Sequence, residues 1–194
     1  MSITPSGYNK KLGKRALKMS VGDFLIIYKC VDSSLIDELA EIVRKPYIIA
    51  GNKTPDDLNN ITYGQLCDLR SIKDDHDMLF VPLRVLFGLK DDDIKKLPFH
   101  KVLAFSVFVS NEVKRINDLF DSIKIKHDSN EIKAGIDDLD FGLFGEIDWY
   151  AQRMGFQNHD EVMDIPWVRL FKCKEIDNGI EGYSRRLRKI LMKK

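Results

Sequence analysis

The chain has 194 residues, 44% of them hydrophobic and 31% charged, and a net charge of +1. That composition is ordinary for a globular protein with a sizeable core. Cys30, Cys67 and Cys173, odd in number and far apart, fit reduced buried thiols in an intracellular setting better than a disulfide framework. No apolar stretch marks a secretory leader, and the longest apolar run, Met78–Leu89, is broken by Pro82 and Arg84, too soon for a membrane span.

Charge is unevenly placed. Residues 1–20 carry Lys10, Lys11, Lys14, Arg15 and Lys18 and no acid. Residues 185–194 carry Arg185, Arg186, Arg188, Lys189, Lys193 and Lys194 and no acid. Between them lie 20 basic and 30 acidic side chains, a body of about −10. Basic ends on an acidic body fit head-to-tail contacts between subunits or a nearby nucleic acid; two solvated ends fit equally.

In chain order, residues 1–19 read as a basic arm in which Pro5, Gly7 and Gly13 oppose a long helix. A short helix runs from Ser20 to about Cys30. Asp32-Ser33-Ser34 then caps a second helix with Leu35, Ile36, Leu39, Ile42 and Val43 on its inner face. Lys45–Thr54 is a turn or short extended stretch with Gly51-Asn52 as a turn signal, and Pro55 fits a first helical position. A helix from Thr62 to about Lys73 follows, then one capped at Asp74-Asp75 and stopped by Gly88, with Pro82 a kink or a late start. Asp91–Lys96 is a short polar helix. Pro98 opens the longest helix, to about Ser122.

Ser122–His127 alternates apolar and polar residues, Asp128-Ser129-Asn130 is a turn, and Glu131–Ala134 resumes the alternation, which predicts a β-hairpin. A helix then runs to Met154 and closes at Gly155. Asn158 and Glu161 form a capping box, and Pro166 begins a C-terminal helix that Gly179 and Gly182 interrupt before a final basic helix. The expected fold is mainly α: short capped helical hairpins, one long central helix and a small β-hairpin. The expected divisions are an arm (1–19), a helical domain (20–121), a hairpin plus helical region (122–183) and a basic tail (184–194).

One pattern occurs three times: Met19–Ile27, Ile61–Leu69 and Leu139–Ile147. Each copy places an apolar residue before Ser20, Thr62 or Asp140, which can accept a hydrogen bond from the first-turn amides. Met19 can staple to Phe24, Ile61 to Leu66 and Leu139 to Phe144. Gly22, Gly64 and Gly142 suggest that another backbone passes close over each helix start. A true repeat is the favoured reading, with chance or shared helix physics as the alternative.

No residues announce chemistry. The acidic clusters Asp74–Asp77, Asp91–Asp93 and Asp137–Asp140 each precede a helix, where capping is the expected role. The histidines (His76, His100, His127, His159) lack zinc spacing, and there is no phosphate loop or serine elbow. No catalytic residue, metal ligand or cofactor is expected. Trp149, Tyr150, Phe156 and Trp167 form a dense aromatic set, suited either to an interface or to a core. With Lys10, Lys11, Lys14, Arg15, Arg185, Arg186, Arg188 and Lys189 they are the candidate interaction residues.

The order Ile61–Leu69, an acidic gap, Leu86-Phe87-Gly88-Leu89, Asp91–Asp93 and Leu97-Pro98 before a long helix resembles tail-assembly chaperones and related structural proteins of tailed bacteriophages. Trp149–Phe156 followed by Asp160–Trp167 is similar to the C-terminal part of such chaperones. The two regions cover about half the chain, and the Lys-, Ile- and Asp-rich style also looks like crAss-like phages. The resemblance implies a non-enzymatic role in the tail or portal–tail neck, in the virion or in the host cytoplasm during assembly. It implies portal, tail or neck proteins as partners, a homo-oligomeric ring, and no membrane. The basic termini depart from the chaperone pattern and favour a ring or collar subunit. The alternative is a small helical nucleic-acid-binding or regulatory protein that uses its basic C-terminus.

Overall fold

The computed structural model describes residues 18–28, 34–125, 127–139 and 141–192. Lys10, Lys11, Lys14 and Arg15 lie outside them. The described residues form ten α-helices and one two-stranded antiparallel sheet. The fold is mainly α. In chain order the elements are α1 (Val21–Tyr28), α2 (Ser34–Ile42), β1 (Ile48–Ile49), β2 (Asn52–Lys53), α3 (Tyr63–Arg70) and α4 (Asp75–Phe87). They continue with α5 (Asp91–Ile94), α6 (Phe99–Ser122), α7 (Ser129–Lys133), α8 (Gly142–Met154), α9 (Asp160–Met163) and α10 (Trp167–Leu191).

The chain divides into two compact units. The first takes residues up to Leu58 and Asp68–Val113; the second takes Asn59–Cys67 and Lys114–Lys194. In the first unit Val21, Phe24, Leu79, Phe80, Leu83, Phe99, Val102, Leu103 and Phe105 are buried. In the second the core is Tyr63, Leu66, Ile116, Phe120, Tyr150, Val162, Trp167, Leu170 and Phe171. Phe120, Trp167 and Phe171 meet there at tilted or edge-on angles, with ring centroids 5.3–6.2 Å apart, the packing that aromatic quadrupoles favour.

Local sequence explains most element ends. The Asp74 carboxylate accepts the Asp77 N–H at 2.7 Å and caps α4. Gly88 (φ 65°) and Gly155 (φ 71°) close α4 and α8 in the left-handed region that glycine tolerates. α4 begins at Asp75 and runs through buried Pro82, so the proline does not mark a late start. Four expectations are corrected. The β-hairpin is at Ile48–Lys53, not at 122–134. Ala50 and Gly51, both at positive φ (49° and 81°), make its two-residue turn, with Ile49 opposite Asn52. Residues 129–133 are instead helix α7, because Asp128 and Glu131 close a full capping box there. Residues 55–60 hold no helix despite Pro55. α10 is continuous through Gly179 and Gly182. α9 has His159 in the cap position with its side chain turned to Asp148 and not to the helix amides, while Asn158 Oδ1 accepts the Asp160 N–H at 2.9 Å, so the expected Asn158–Glu161 box is not formed.

Candidate interaction surface

Two of the three motif copies are built into the same structure. In the first unit, Ser20 forms an antiparallel bridge with Pro98. The Val21 N–H donates to the Leu97 carbonyl, and the Phe99 N–H donates to the Met19 carbonyl, both at 2.9 Å. In the second unit, Thr62 bridges Pro166. The Tyr63 N–H donates to the Ile165 carbonyl (2.7 Å), and the Trp167 N–H donates to the Ile61 carbonyl (3.3 Å). Each clasp thus satisfies free amides at two helix N-termini with carbonyls of the facing segment.

The side chains follow the same plan. Ser20 Oγ accepts the Asp23 N–H (3.1 Å). Thr62 Oγ1 accepts the Gln65 N–H (3.1 Å) while Gln65 Oε1 accepts the Thr62 N–H (3.0 Å), a complete capping box. Under Gly22 runs the Lys95 carbonyl and under Gly64 the Met163 carbonyl. A Cβ on these glycines would meet those oxygens at 3.3 and 3.0 Å. Phe24 stacks on Phe99 with centroids 3.8 Å apart, and Leu66 and Trp167 are both buried.

The facing segments match in sequence as well. Ile94, Leu97, Pro98, Phe99, Val102 and Leu103 correspond to Val162, Ile165, Pro166, Trp167, Leu170 and Phe171, with a short acidic helix before each proline and a long helix after it. This match was open to sequence reasoning and was missed. Its signal is apolar residues four and one positions before the proline and one, four and five after it. Each motif helix is also tied to the helix that precedes its facing segment. Tyr28 hydrogen-bonds Asp75 of α4, and Tyr63 hydrogen-bonds Glu146 of α8, whose other oxygen meets Lys174 of α10. The Asp75 carboxylate that accepts its proton, followed by burial, pushes the Tyr28 hydroxyl up to about 12.

The third copy departs from this plan. α8 starts at Gly142, with Phe141 in the cap position and no side-chain cap, and Asp140 lies outside the described residues. Leu139 and Phe144 are 60% and 62% exposed, so they form no staple over a core. Among the described residues, no atom beyond its chain neighbours and its own helix backbone lies within 4 Å of a Cβ on Gly142, whose φ is +55°, so they show no close approach of the kind expected there. What the sequence pattern marks is an exposed apolar patch of Leu139, Phe141, Leu143 and Phe144.

A longer apolar surface lies on the second half of α10. Ile176, Ile180, Tyr183, Leu187 and Ile190 are exposed, from 41% at Leu187 to 62% at Ile190. The polar side of this stretch faces the unit's own body. The Asn178 amide donates to the Ile123 carbonyl (2.9 Å), Arg185 pairs with Glu131 (2.9 Å), and Lys189 lies 3.8 Å from Asp128. Nearer the middle of the helix Arg153 forks onto Asp177 (2.9 and 3.0 Å). Those contacts hold the helix together across its two glycines. Hydrogen bonds to its carboxylate partners raise Arg185 above the ordinary arginine value, first from Glu181. Backbone amides of Glu131 and Asn130 hold the Asp128 carboxyl below its usual range.

The sequence-predicted residues are therefore split. Tyr150 and Trp167 are core residues of the second unit, and Trp149 and Phe156 are half-buried beside Tyr150. The Tyr150 hydroxyl is buried without a hydrogen-bond partner among the described residues, and burial raises its pKa. Arg185, Arg186, Arg188 and Lys189 all lie on the final turns of α10, with Arg186, Arg188 and Lys189 exposed. Asp74, His76 and Asp77 bring their ligand atoms within 4.8 Å of one another, but Asp74 is engaged as the α4 cap. No helix among the described residues is long and apolar enough to cross a membrane. Compared with protein-family models, curated proteins and solved structures, the chain shows no match.

Proposed function

We propose that this chain is a non-enzymatic assembly protein of a tailed bacteriophage, a component of the tail or portal–tail neck that works through protein contacts. The observation that carries the reading is the apolar surface turned outward along α10, together with a second exposed apolar segment at Leu139–Phe144. Exposed apolar area on this scale marks a surface that another protein covers. The resemblance supports the phage assignment. Of the residues that carry it, Ile61–Leu69, Leu97-Pro98 and Asp160–Trp167 contribute to the twin clasps, whereas Leu86–Leu89 and Trp149–Phe156 do not, and Met19–Gly22 of the first clasp lies outside it. In this reading the clasps make a rigid frame and the exposed faces dock on portal, tail or neck proteins, with copies of the chain arranged in a ring.

The test is quantitative mass spectrometry of particles purified from the phage that encodes the chain, together with its tail precursors. A ring or collar subunit is recovered from finished particles at a fixed multiple of the portal. A transient chaperone is recovered from precursors alone. Absence from both overturns the proposal. A gel-shift titration at low and high salt addresses the alternative: tight, steeply salt-dependent binding to duplex DNA would favour a nucleic-acid role for Arg185–Lys194.

A further inference from the structure

The second half of α10 is inside out. An amphipathic helix on the surface of a globular unit turns its apolar stripe inward and its charges to water. Here Asn178 and Arg185 bind the body, and the apolar residues point away from it. Ile176, Ile180, Tyr183, Leu187 and Ile190 are spaced four, three, four and three apart, the alternation of a coiled-coil seam. In that heptad Asn178 and Arg185 share the position opposite the seam, so the inward and outward faces are diametric.

We propose that this seam is the docking site for an acidic amphipathic helix of a partner protein. The shape of the stripe argues for a helix. It is a narrow two-per-heptad line, whereas a helix lying on a bilayer needs a broader apolar face. The charge argues for an acidic occupant. The two acids of the stretch are engaged, Asp177 with Arg153 and Glu181 with Arg185. Arg186 flanks the seam and is exposed with no carboxylate partner among the described residues, whereas Arg188 and Lys189 lie nearer the body side of the helix, 3.9 and 3.8 Å from Glu181 and Asp128. A second copy of α10 offers Arg186 no free acid, because its Asp177 and Glu181 are already paired. The chain's own N-terminal residues 1–17 are no better suited, with four basic side chains and no acid. Opposite charge beside a coiled-coil seam selects the partner and its orientation.

This inference rests on reading the chain as a protein that acts through contacts, but its test needs no phage particle, so either can fail alone. The probe is a fluorescein-labelled designed peptide of about four heptads, with Ile and Leu in the seam and Glu beside it. A sister peptide carries Lys in place of Glu. Both are titrated by anisotropy against the full chain at two salt concentrations. The acidic peptide should bind at least about tenfold more tightly than the basic one, and less tightly at high salt. Leu187→Glu and Ile180→Glu should each weaken it by about tenfold or more, with circular dichroism and the denaturation midpoint unchanged, since both residues are exposed. Arg186→Glu should narrow the gap between the two peptides. Equal binding of the two peptides, or none, overturns the proposal. So does sedimentation of the chain as a dimer that Leu187→Glu dissociates, which would make a second copy the occupant. Binding to phosphatidylserine vesicles that Leu187→Glu abolishes, without peptide binding, would make the surface a membrane face and likewise overturn it.

Discussion

At the scale of single residues, the glycines separate close approach from chain flexibility. Gly22 and Gly64 have the backbone carbonyl of a short helix's end at what would be Cβ contact distance, 3.3 and 3.0 Å, and neither oxygen can swing away as a side-chain tip could. Gly64→Val should destabilise the chain by about 1–3 kcal/mol through overpacking, and Gly22→Val by less. Gly179 sits mid-helix in open space. Gly179→Ala should therefore stabilise by about 0.5–1 kcal/mol, since alanine loses less backbone entropy in a helix. Urea denaturation of the three variants checks the order; a Gly64→Val variant as stable as the parent would show that the clasp has slack. Tyr28 provides a pH test of the same unit. Its pKa is raised from 10.0 to about 12, chiefly by its bond to Asp75. Because the folded value lies above the unfolded one, the stabilisation is whole below pH 10 and is lost as the pH rises through about 12. Ultraviolet titration should show late-ionising tyrosines, Tyr28 and Tyr150 among them, and Tyr28→Phe should remove one tyrosine from that late step. A titration curve unchanged by the substitution would mean the bond is not held in solution.

At the scale of elements, helix starts and stops were the most legible part of the chain, because caps are local chemistry. Ser20, Thr62, Asp74, Gly88 and Gly155 each act where their side chain or backbone freedom says they should. Features that depend on a partner distant in sequence were misread. Ile123 and Ile125 alternate with lysines as a strand would, but no strand lies beside them, and Asp128 and Glu131 spend their hydrogen bonds on a helix. The real hairpin has only two residues in each strand. Gly51-Asn52 marks a turn within Lys45–Thr54, but the turn also runs through Ala50, a residue that seldom adopts positive φ, and strands this short carry no alternation, so the strand pairing itself was not legible. Gly179 and Gly182 read as breakers because the ties at Asp177, Asn178 and Arg185 are tertiary. The candidate surface was legible only as charge. The basic residues at 185–189 were visible, but the apolar seam beside them is read as an exposed face only once the helix is seen to bind its body through polar groups. Local capping carries its own prediction. Ser20→Ala and Thr62→Ala should each cost about 1 kcal/mol, and Thr62→Ala more, because it breaks a reciprocal box with Gln65. Thermal or urea unfolding measures both; equal losses would mean that the two halves of the box are not coupled.

At the scale of the whole molecule, the same clasp appears once in each compact unit, made from different residues at matching positions. Chance agreement of helix caps explains a shared N-terminal pattern. It does not explain a shared bridge to a proline, a carbonyl under the same glycine, and a matching series of buried residues after that proline. The third sequence copy has none of these, which separates the structural repeat from the resemblance of helix starts. If the clasps are equivalent parts, each should be the element whose loss first opens its own unit. Hydrogen exchange followed by mass spectrometry can observe this, since local openings expose contiguous groups of amides. Gly64→Val should speed exchange first at Tyr63–Cys67 and Ile165–Leu170, the two sides of the second clasp. Gly22→Val should do so at Val21–Leu25 and Leu97–Val102, the two sides of the first. Acceleration confined to the mutated helix, with the facing proline segment unchanged, would mean that the backbone bridges do not hold the two sides together. The repeated geometry would then be a shared shape without a shared mechanical role.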